Sequence, residues 1–173
     1  MNTSSNLTVC WAPFEKCFTE NPNFRGTLKA EMPYRFLEDL VTADLAFEAY
    51  AGSIEELFQE AGRAISEAMV NTESLEGLLT KRMEIHSETL EGLLYDFLSE
   101  IVLLKDRDSV VFKQVKAKVD KSAQTYRLAA EAMCDKIDPL KHELRNDVKA
   151  VTYHMFEISR KNHGWYCRVV LDV

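Results

Sequence analysis

The pattern of apolar and polar positions near the end of the chain is that of a β-hairpin. Over residues 148–157, small or apolar side chains alternate with others at the two-residue period of a strand. A second strand is predicted over 164–173, and residues 160–164 are short enough to join the two as an antiparallel turn. Because each face of the first strand carries a titratable side chain among apolar neighbours, we predict an edge strand or part of a site.

Two stretches before this hairpin have helical spacing instead. Ser53 and Glu56 form a capping-box pattern, which starts a helix that runs to about Val70. A second helix is predicted over 88–105, with Ser87 as its cap and a broad leucine-rich stripe that suits the core. The more apolar second helix is predicted to be the central one.

The remaining periodic segments are predicted to be strands, which makes the element order ββαβαββββ. They cover residues 34–37, 45–51, 81–86, 110–119 and 124–132. Many strands with only two helices indicate the α+β class. We therefore predict one compact domain with a mixed β-sheet and two helices packed on it.

The first 32 residues lack periodicity and are interrupted by Pro13, Pro22 and Gly26. We interpret residues 1–32 as a flexible N-terminal extension and residues 33–173 as the folded domain. Within the whole sequence, no apolar run reaches the ~18 residues of a membrane span, and the N-terminus lacks the pattern of a signal peptide. A cytoplasmic protein with no membrane association is expected.

Charge is distributed unevenly over the 173 residues, whose net charge is −7. Residues 31–100 hold 16 acidic and 4 basic residues, whereas residues 101–173 hold 10 acidic and 14 basic residues. Direct, strong nucleic-acid binding is not expected, because it requires clustered Lys and Arg. Two readings stay open for the acidic half: docking on a basic partner surface, or solvated helix faces.

Few residues carry a recognisable chemistry. The four cysteines form no CxxC pair, which argues against a zinc site and a disulfide framework, and no nucleophile motif is present. His142 and His154 flank the alternating strand, and a lone histidine there is more often structural than a ligand. Asp44, Asp172 and the α-carboxylate of Val173 are oxygen donors that would select Ca²⁺ or Mg²⁺. The residues alone do not establish this site, because distant aspartates rarely converge.

Several segments from about residue 33 onward resemble the archease family, the small partner proteins of RtcB-type RNA ligases in tRNA splicing. The strongest is the string Val-Lys-Ala-Val-Thr-Tyr-His at 148–154. The others lie in the same order as in the family, at 36–39, 42–49, 53–58, 93–98, 137–144 and 164–173. From the first to the last of these segments the resemblance spans roughly 140 residues. It implies a compact mixed sheet with two helices.

The resemblance also implies a function. An archease is not the ligase itself but helps the ligase become guanylylated from GTP and turn over repeatedly. The family's bound cation corresponds here to Asp44, Asp172 and Val173, with Ca²⁺ as the first choice and Mg²⁺ or Mn²⁺ as alternatives. The implied partner is an RtcB-type RNA ligase, and the implied location is the cytoplasm.

One position departs from the family pattern. Many relatives have His directly before Thr-Ala-Asp, but this chain has Val41 there, with Asp39 two residues earlier as a partial substitute.

Lys149 and His154 are five residues apart, so uninterrupted alternation predicts that they lie on opposite faces. We expect Lys149 to face the partner, and His142 and His154 to be structural or to lie behind the metal ligands. The alternatives to an accessory protein are a stand-alone metal-assisted phosphohydrolase and a general chaperone.

Overall fold

Two antiparallel sheets and two helices make up the fold in a computed structural model that describes residues 33–37, 44–161 and 164–173. The first part of the chain forms β1 (Tyr34–Leu37), β2 (Leu45–Ala51), α1 (Ile54–Met69), a 3₁₀ turn (Thr72–Ser74) and β3 (Leu79–Ser87). The second part forms α2 (Leu90–Asp108), β4 (Val110–Lys121), β5 (Tyr126–Lys136), β6 (Ala150–Lys161) and β7 (Gly164–Asp172). The α+β class and the order ββαβαββββ are confirmed.

The strands divide into two sheets rather than the single mixed sheet that we predicted. One has the order β1-β2-β7-β6 and the other β3-β5-β4. Every strand pair among the described residues is antiparallel. The prediction of one mixed sheet is therefore wrong: none of these pairs is parallel, and the strands fall into two sheets because β2 pairs with the last strand, whereas β3 pairs with β5.

The capping box of α1 is confirmed in detail. The Ser53 hydroxyl accepts from the Glu56 N–H at 3.2 Å, and the Glu56 carboxylate accepts from the Ser53 N–H at 3.1 Å. These bonds satisfy backbone donors that the helix itself leaves unpaired. α1 therefore begins where local sequence chemistry places it.

The cap of α2 differs from the prediction. Thr89, not Ser87, is the N-cap, and its hydroxyl accepts from the Gly92 N–H at 3.0 Å. Ser87 is still paired with Tyr126 in the sheet, so β3 continues to this point and leaves the cap to the next hydroxyl residue. The predicted burial of α2 is confirmed, because it buries Leu93, Leu94, Phe97, Leu98, Ile101, Val102 and Leu104. It is not more central than α1, which is buried to a similar extent.

The core lies between the helices and both sheets. α1 packs mainly on β4 and β2, whereas α2 packs on β6 and β3. Phe58 of α1 meets Phe97 of α2 with their ring centroids 5.8 Å apart, and both side chains are fully buried.

No helix in the described ranges is long and apolar enough to cross a membrane. Residues 1–32 lie outside the described residues, so the predicted extension stays a prediction.

The last two strands form the predicted antiparallel hairpin, but β6 does not alternate throughout. Its register with β7 shifts between Thr152 and Glu157, where four β6 residues lie opposite Val169 alone. As a result Val151 and Phe156, five residues apart, are both buried in the core. We predicted that Lys149 and His154 lie on opposite faces because the strand alternates without interruption. The bulge interrupts that alternation, so the prediction no longer follows from the spacing.

Candidate functional site

Asp44, Asp172 and Val173 lie at one end of the four-stranded sheet, which we call the acidic sheet end. β2 begins at Leu45 and β7 ends at Asp172, and Leu45 is paired with Leu171. Because the two strands are antiparallel, the residue before Leu45 and the residue after Leu171 lie at the same end of the ladder. The register thus places two aspartates that are far apart in the sequence at the same end of the sheet.

Backbone pairing and packing hold this end of the chain. The Lys149 N–H donates to the Asp172 carbonyl at 2.8 Å, and Ala150 is paired with Asp172 in the β6–β7 ladder. Leu171 is fully buried, and the Val173 side chain packs against the core. The backbone of residues 171–173 is therefore anchored through the sheet and the core.

The residues at the acidic sheet end fit a hard cation in donor chemistry. Asp44 and Asp172 are both exposed, and within the described ranges neither carboxylate has a hydrogen-bond or ion-pair partner. Among those residues, no three His, Cys, Asp or Glu side chains form a cluster. A cation here would therefore take two side-chain carboxylates and the backbone oxygens of Val173, an all-oxygen set of the kind that Ca²⁺ and Mg²⁺ prefer. Asp39 and Val41 lie outside the described residues.

The other predicted site residues are in different places. Lys149 is exposed next to the acidic sheet end, and its ammonium forms no ion pair with a described residue. His154 is exposed in the β6 bulge. His142 lies in the loop between β5 and β6, where its Nδ1 accepts from the Asp138 N–H at 3.3 Å. His142 is therefore placed as a structural residue of that loop.

A buried carboxylate on β2 was not anticipated from the sequence. Glu48 is 4% exposed and lies between cross-strand neighbours Arg35 and Arg168. Its Oε2 accepts from Arg35 at 2.8 Å, and its Oε1 accepts from Arg168 at 2.8 Å and from the Tyr166 hydroxyl at 2.6 Å. The Tyr50 hydroxyl adds a bond of 3.2 Å. The signal available in the sequence was a glutamate inside an otherwise apolar strand.

These bonds control the ionisation of Glu48. Burial is the largest single effect and opposes the charge, but the hydrogen bonds from Tyr166, Arg35, Arg168 and Tyr50 together outweigh it. They lower the pKa of Glu48 to about 2. An ionised Glu48 joins β1, β2 and β7, so it stabilises the strand that Asp44 precedes and the strand that ends at Asp172.

A second buried carboxylate organises the turn before β3. Asp135 is 5% exposed and accepts from the backbone N–H groups of Glu76, Gly77 and Leu78 at 2.7, 2.7 and 2.8 Å. Burial opposes ionisation, yet the three N–H donors prevail and lower the pKa of Asp135. This group has a structural role, since it supplies the acceptors that the turn lacks.

The described cysteines have the properties of core residues. Cys134 and Cys167 are both fully buried. Burial raises the pKa of the Cys134 thiol and raises that of Cys167 to about 12. Because the thiolate is the reactive form, neither is suited to be a nucleophile at neutral pH.

The described fold and site define a small α+β protein that presents oxygen donors at one end of an antiparallel sheet. The model of the Archease protein family (MTH1598/TM1083) matches residues 34–173. The chain is 36% identical to Protein archease of Pyrococcus abyssi, over 76% of this chain and 94% of that protein. It is 39% identical to Protein archease of Methanothermobacter thermautotrophicus, over 77% and 94%.

A solved structure supports the same relationship. The solution structure of Methanobacterium thermoautotrophicum protein 1598 matches with a TM-score of 0.73 and 38% identity, over 82% of this chain and 99% of that one. This chain belongs to the archease family.

Proposed function

We propose that this protein is a metal-binding accessory protein that activates an RtcB-type RNA ligase in tRNA splicing. In this proposal it promotes guanylylation of the ligase by GTP and supports multiple turnover, and it is not itself the catalyst. The observation that supports the proposal is the acidic sheet end, where the β2–β7 register sets Asp44 and Asp172 at the same end of the ladder and both are exposed, without partners for their carboxylates among the described residues. Membership in the archease family supports the choice of partner.

Asp44 and Asp172 would hold the cation, together with backbone oxygens of Val173. A bound divalent cation supplies concentrated positive charge, which is what the triphosphate of GTP needs when it reacts. Ca²⁺ is our first choice because Asp44 and Asp172 are exposed, and Ca²⁺ accepts irregular sets of oxygen ligands. Mg²⁺ and Mn²⁺ are the alternatives.

In this proposal, the anchored ends of β2 and β7 fix the position of the charges that the protein presents to the ligase. The β2–β7 ladder sets the spacing of Asp44 and Asp172, and the Lys149 N–H holds the Asp172 carbonyl. Lys149 adds an exposed ammonium on the segment whose backbone N–H binds the Asp172 carbonyl, where it can contact a phosphate or a carboxylate of the partner. Positioning of charge, rather than a covalent step, is thus the proposed contribution.

The test is a guanylylation assay with purified ligase, GTP and this protein. Wild-type protein should increase the rate, whereas Asp44→Asn and Asp172→Asn should abolish the increase. Asp120→Asn is the matched control, because it removes an exposed carboxylate of β4 in the other sheet. Equal activation by Asp172→Asn and wild type would disprove the role of the site.

Metal binding has a readout that is independent of the ligase. A cation that binds only the folded state adds about 2.7 kcal/mol of stability at a hundredfold excess over its dissociation constant. Chelation should therefore lower the melting temperature of wild type and of Asp120→Asn, but not that of Asp44→Asn. Hydrolysis of a phosphate ester by this protein alone, lost in Asp44→Asn, would favour the phosphohydrolase alternative instead.

A further inference from the structure

The bulge in β6 holds a segment of this edge strand outside the regular ladder. Residues 153–156 lie opposite Val169 alone, and Met155 has φ 54°. A left-handed conformation is strained for a residue with a long side chain and no local polar group to compensate. Bulges re-aim side chains and end regular pairing, so this segment is shaped to present Tyr153, His154 and Met155 outward.

The side chains presented there are large and mainly apolar, and Tyr153 is held in place by its neighbours. Tyr153 is 62% exposed and Met155 is 40% exposed. The ring of Tyr153 stacks on Tyr95 of α2, with centroids 3.9 Å apart and planes at 14°. The Tyr95 hydroxyl in turn donates to the Val151 carbonyl at 3.2 Å. We call Tyr95, Tyr153 and Met155 the bulge surface.

This arrangement suits protein recognition. Tyrosine provides a large contact area at a low cost in conformational entropy, and an already stacked ring loses less freedom on binding. Met155 adds an adaptable apolar side chain next to it. An exposed aromatic group supported from beneath is therefore a typical binding anchor.

The charge around the bulge surface indicates what kind of partner fits. Glu91 and Asp96 of α2 are exposed, and neither has an ion-pair partner among the described residues. Both lie on α2 within four residues of Tyr95, the residue on which the Tyr153 ring stacks. Partial burial is the first cause of a raised pKa of Tyr153, and these two carboxylates add to it. Carboxylates beside a binding surface repel the phosphates of RNA and attract lysine and arginine side chains of a protein.

We infer that the bulge surface is the docking site for a protein partner that presents an apolar side chain beside lysine or arginine. The inference rests on the proposed function, in which that partner is the ligase. Ala150 is paired with Asp172, and Thr152 follows only two residues later, a distance of about 7 Å along a strand. Docking on the bulge surface would therefore hold the acidic sheet end against the partner.

The test measures affinity for the ligase separately from activation of the ligase. Tyr153→Ala should weaken binding at least tenfold, as expected for an aromatic anchor. At saturating protein it should still reach the wild-type rate of guanylylation, because Asp44 and Asp172 are unchanged. Leu140→Ala is the matched control, since Leu140 is an apolar side chain that is 97% exposed in the β5–β6 loop.

A second variant tests the charge without disturbing the aromatic stack. Asp96→Lys changes an exposed position and should weaken binding most at low salt, with the difference shrinking as salt is added. Binding by Tyr153→Ala and Asp96→Lys within twofold of wild type would overturn the docking site while leaving the proposed function intact. Wild-type protein that neither binds nor activates the ligase would overturn the proposed function and the docking site together.

Discussion

Replacing Glu48 by glutamine removes the one negative charge between Arg35 and Arg168 while keeping the shape of the side chain. The amide oxygen still accepts a hydrogen bond, but the amide nitrogen now faces donors of the Arg35 guanidinium or of Tyr166. The two cations, on the strands that flank β2, lose their shared counter-charge. We expect the folded state to lose stability without a change of fold.

The magnitude follows from the ionisation of Glu48. A carboxyl whose pKa falls from its ordinary 4.5 to about 2 on folding contributes about 3 kcal/mol at neutral pH. Losing one partner of a fully buried pair costs about 3–5 kcal/mol, but the Arg35 side chain is 62% exposed and can be solvated. We therefore expect Glu48→Gln to lower the free energy of unfolding by about 2–3 kcal/mol at pH 7.

The pH dependence provides a sharper check than the value at pH 7. Because the folded pKa is lowered, the stabilisation by Glu48 is fully present above about pH 5 and is lost as the pH falls towards 2. In urea titrations at several pH values, the difference between wild type and Glu48→Gln should shrink over that range. Glu84→Gln, which removes an exposed carboxylate from surface pairs, should stay within about 0.5 kcal/mol of wild type.

Two outcomes would refute this reasoning. A Glu48→Gln protein within about 0.5 kcal/mol of wild type at pH 7 would show that the arginine and tyrosine bonds add no net stability. A difference that stays constant from pH 6 to pH 3 would show that it does not arise from the ionisation of Glu48.

Three further outcomes are expected. Asp135→Asn should cost about 1–3 kcal/mol in urea unfolding, because one amide oxygen cannot satisfy three partly buried N–H donors, and equal stability would rule out that role. Phe97→Ala should cost about 3–5 kcal/mol as a large-to-small core change, whereas Leu103→Ala on the exposed side of α2 should cost about 0.5 kcal/mol or less. Deleting the first ~25 residues should leave the melting temperature and ligase activation unchanged, because the family match begins at residue 34; a large drop in either would assign a structural role to them.

The sequence by itself determined the elements whose signals are local. The capping box of Ser53 and Glu56 spans three residues, so α1 was predictable within one residue at its start. The apolar stripe of α2 repeats at helical spacing, and its burial follows from that pattern alone. Where two signals competed, the tertiary structure decided: Ser87 is a good cap in isolation, but pairing with Tyr126 keeps it in β3.

The candidate site depended on contacts that no local pattern contains. The carboxylates of Asp44 and Asp172 were visible as oxygen donors, but only the β2–β7 register places them at one end of a sheet. The β6 bulge interrupts the two-residue alternation. It allows Val151 and Phe156, five residues apart, to be buried on the same side while β6 stays paired with β7. Glu48 likewise gained its role from arginines on two other strands. Strand register and pairing are set by energies between distant segments, and those energies arise only when the whole chain has folded.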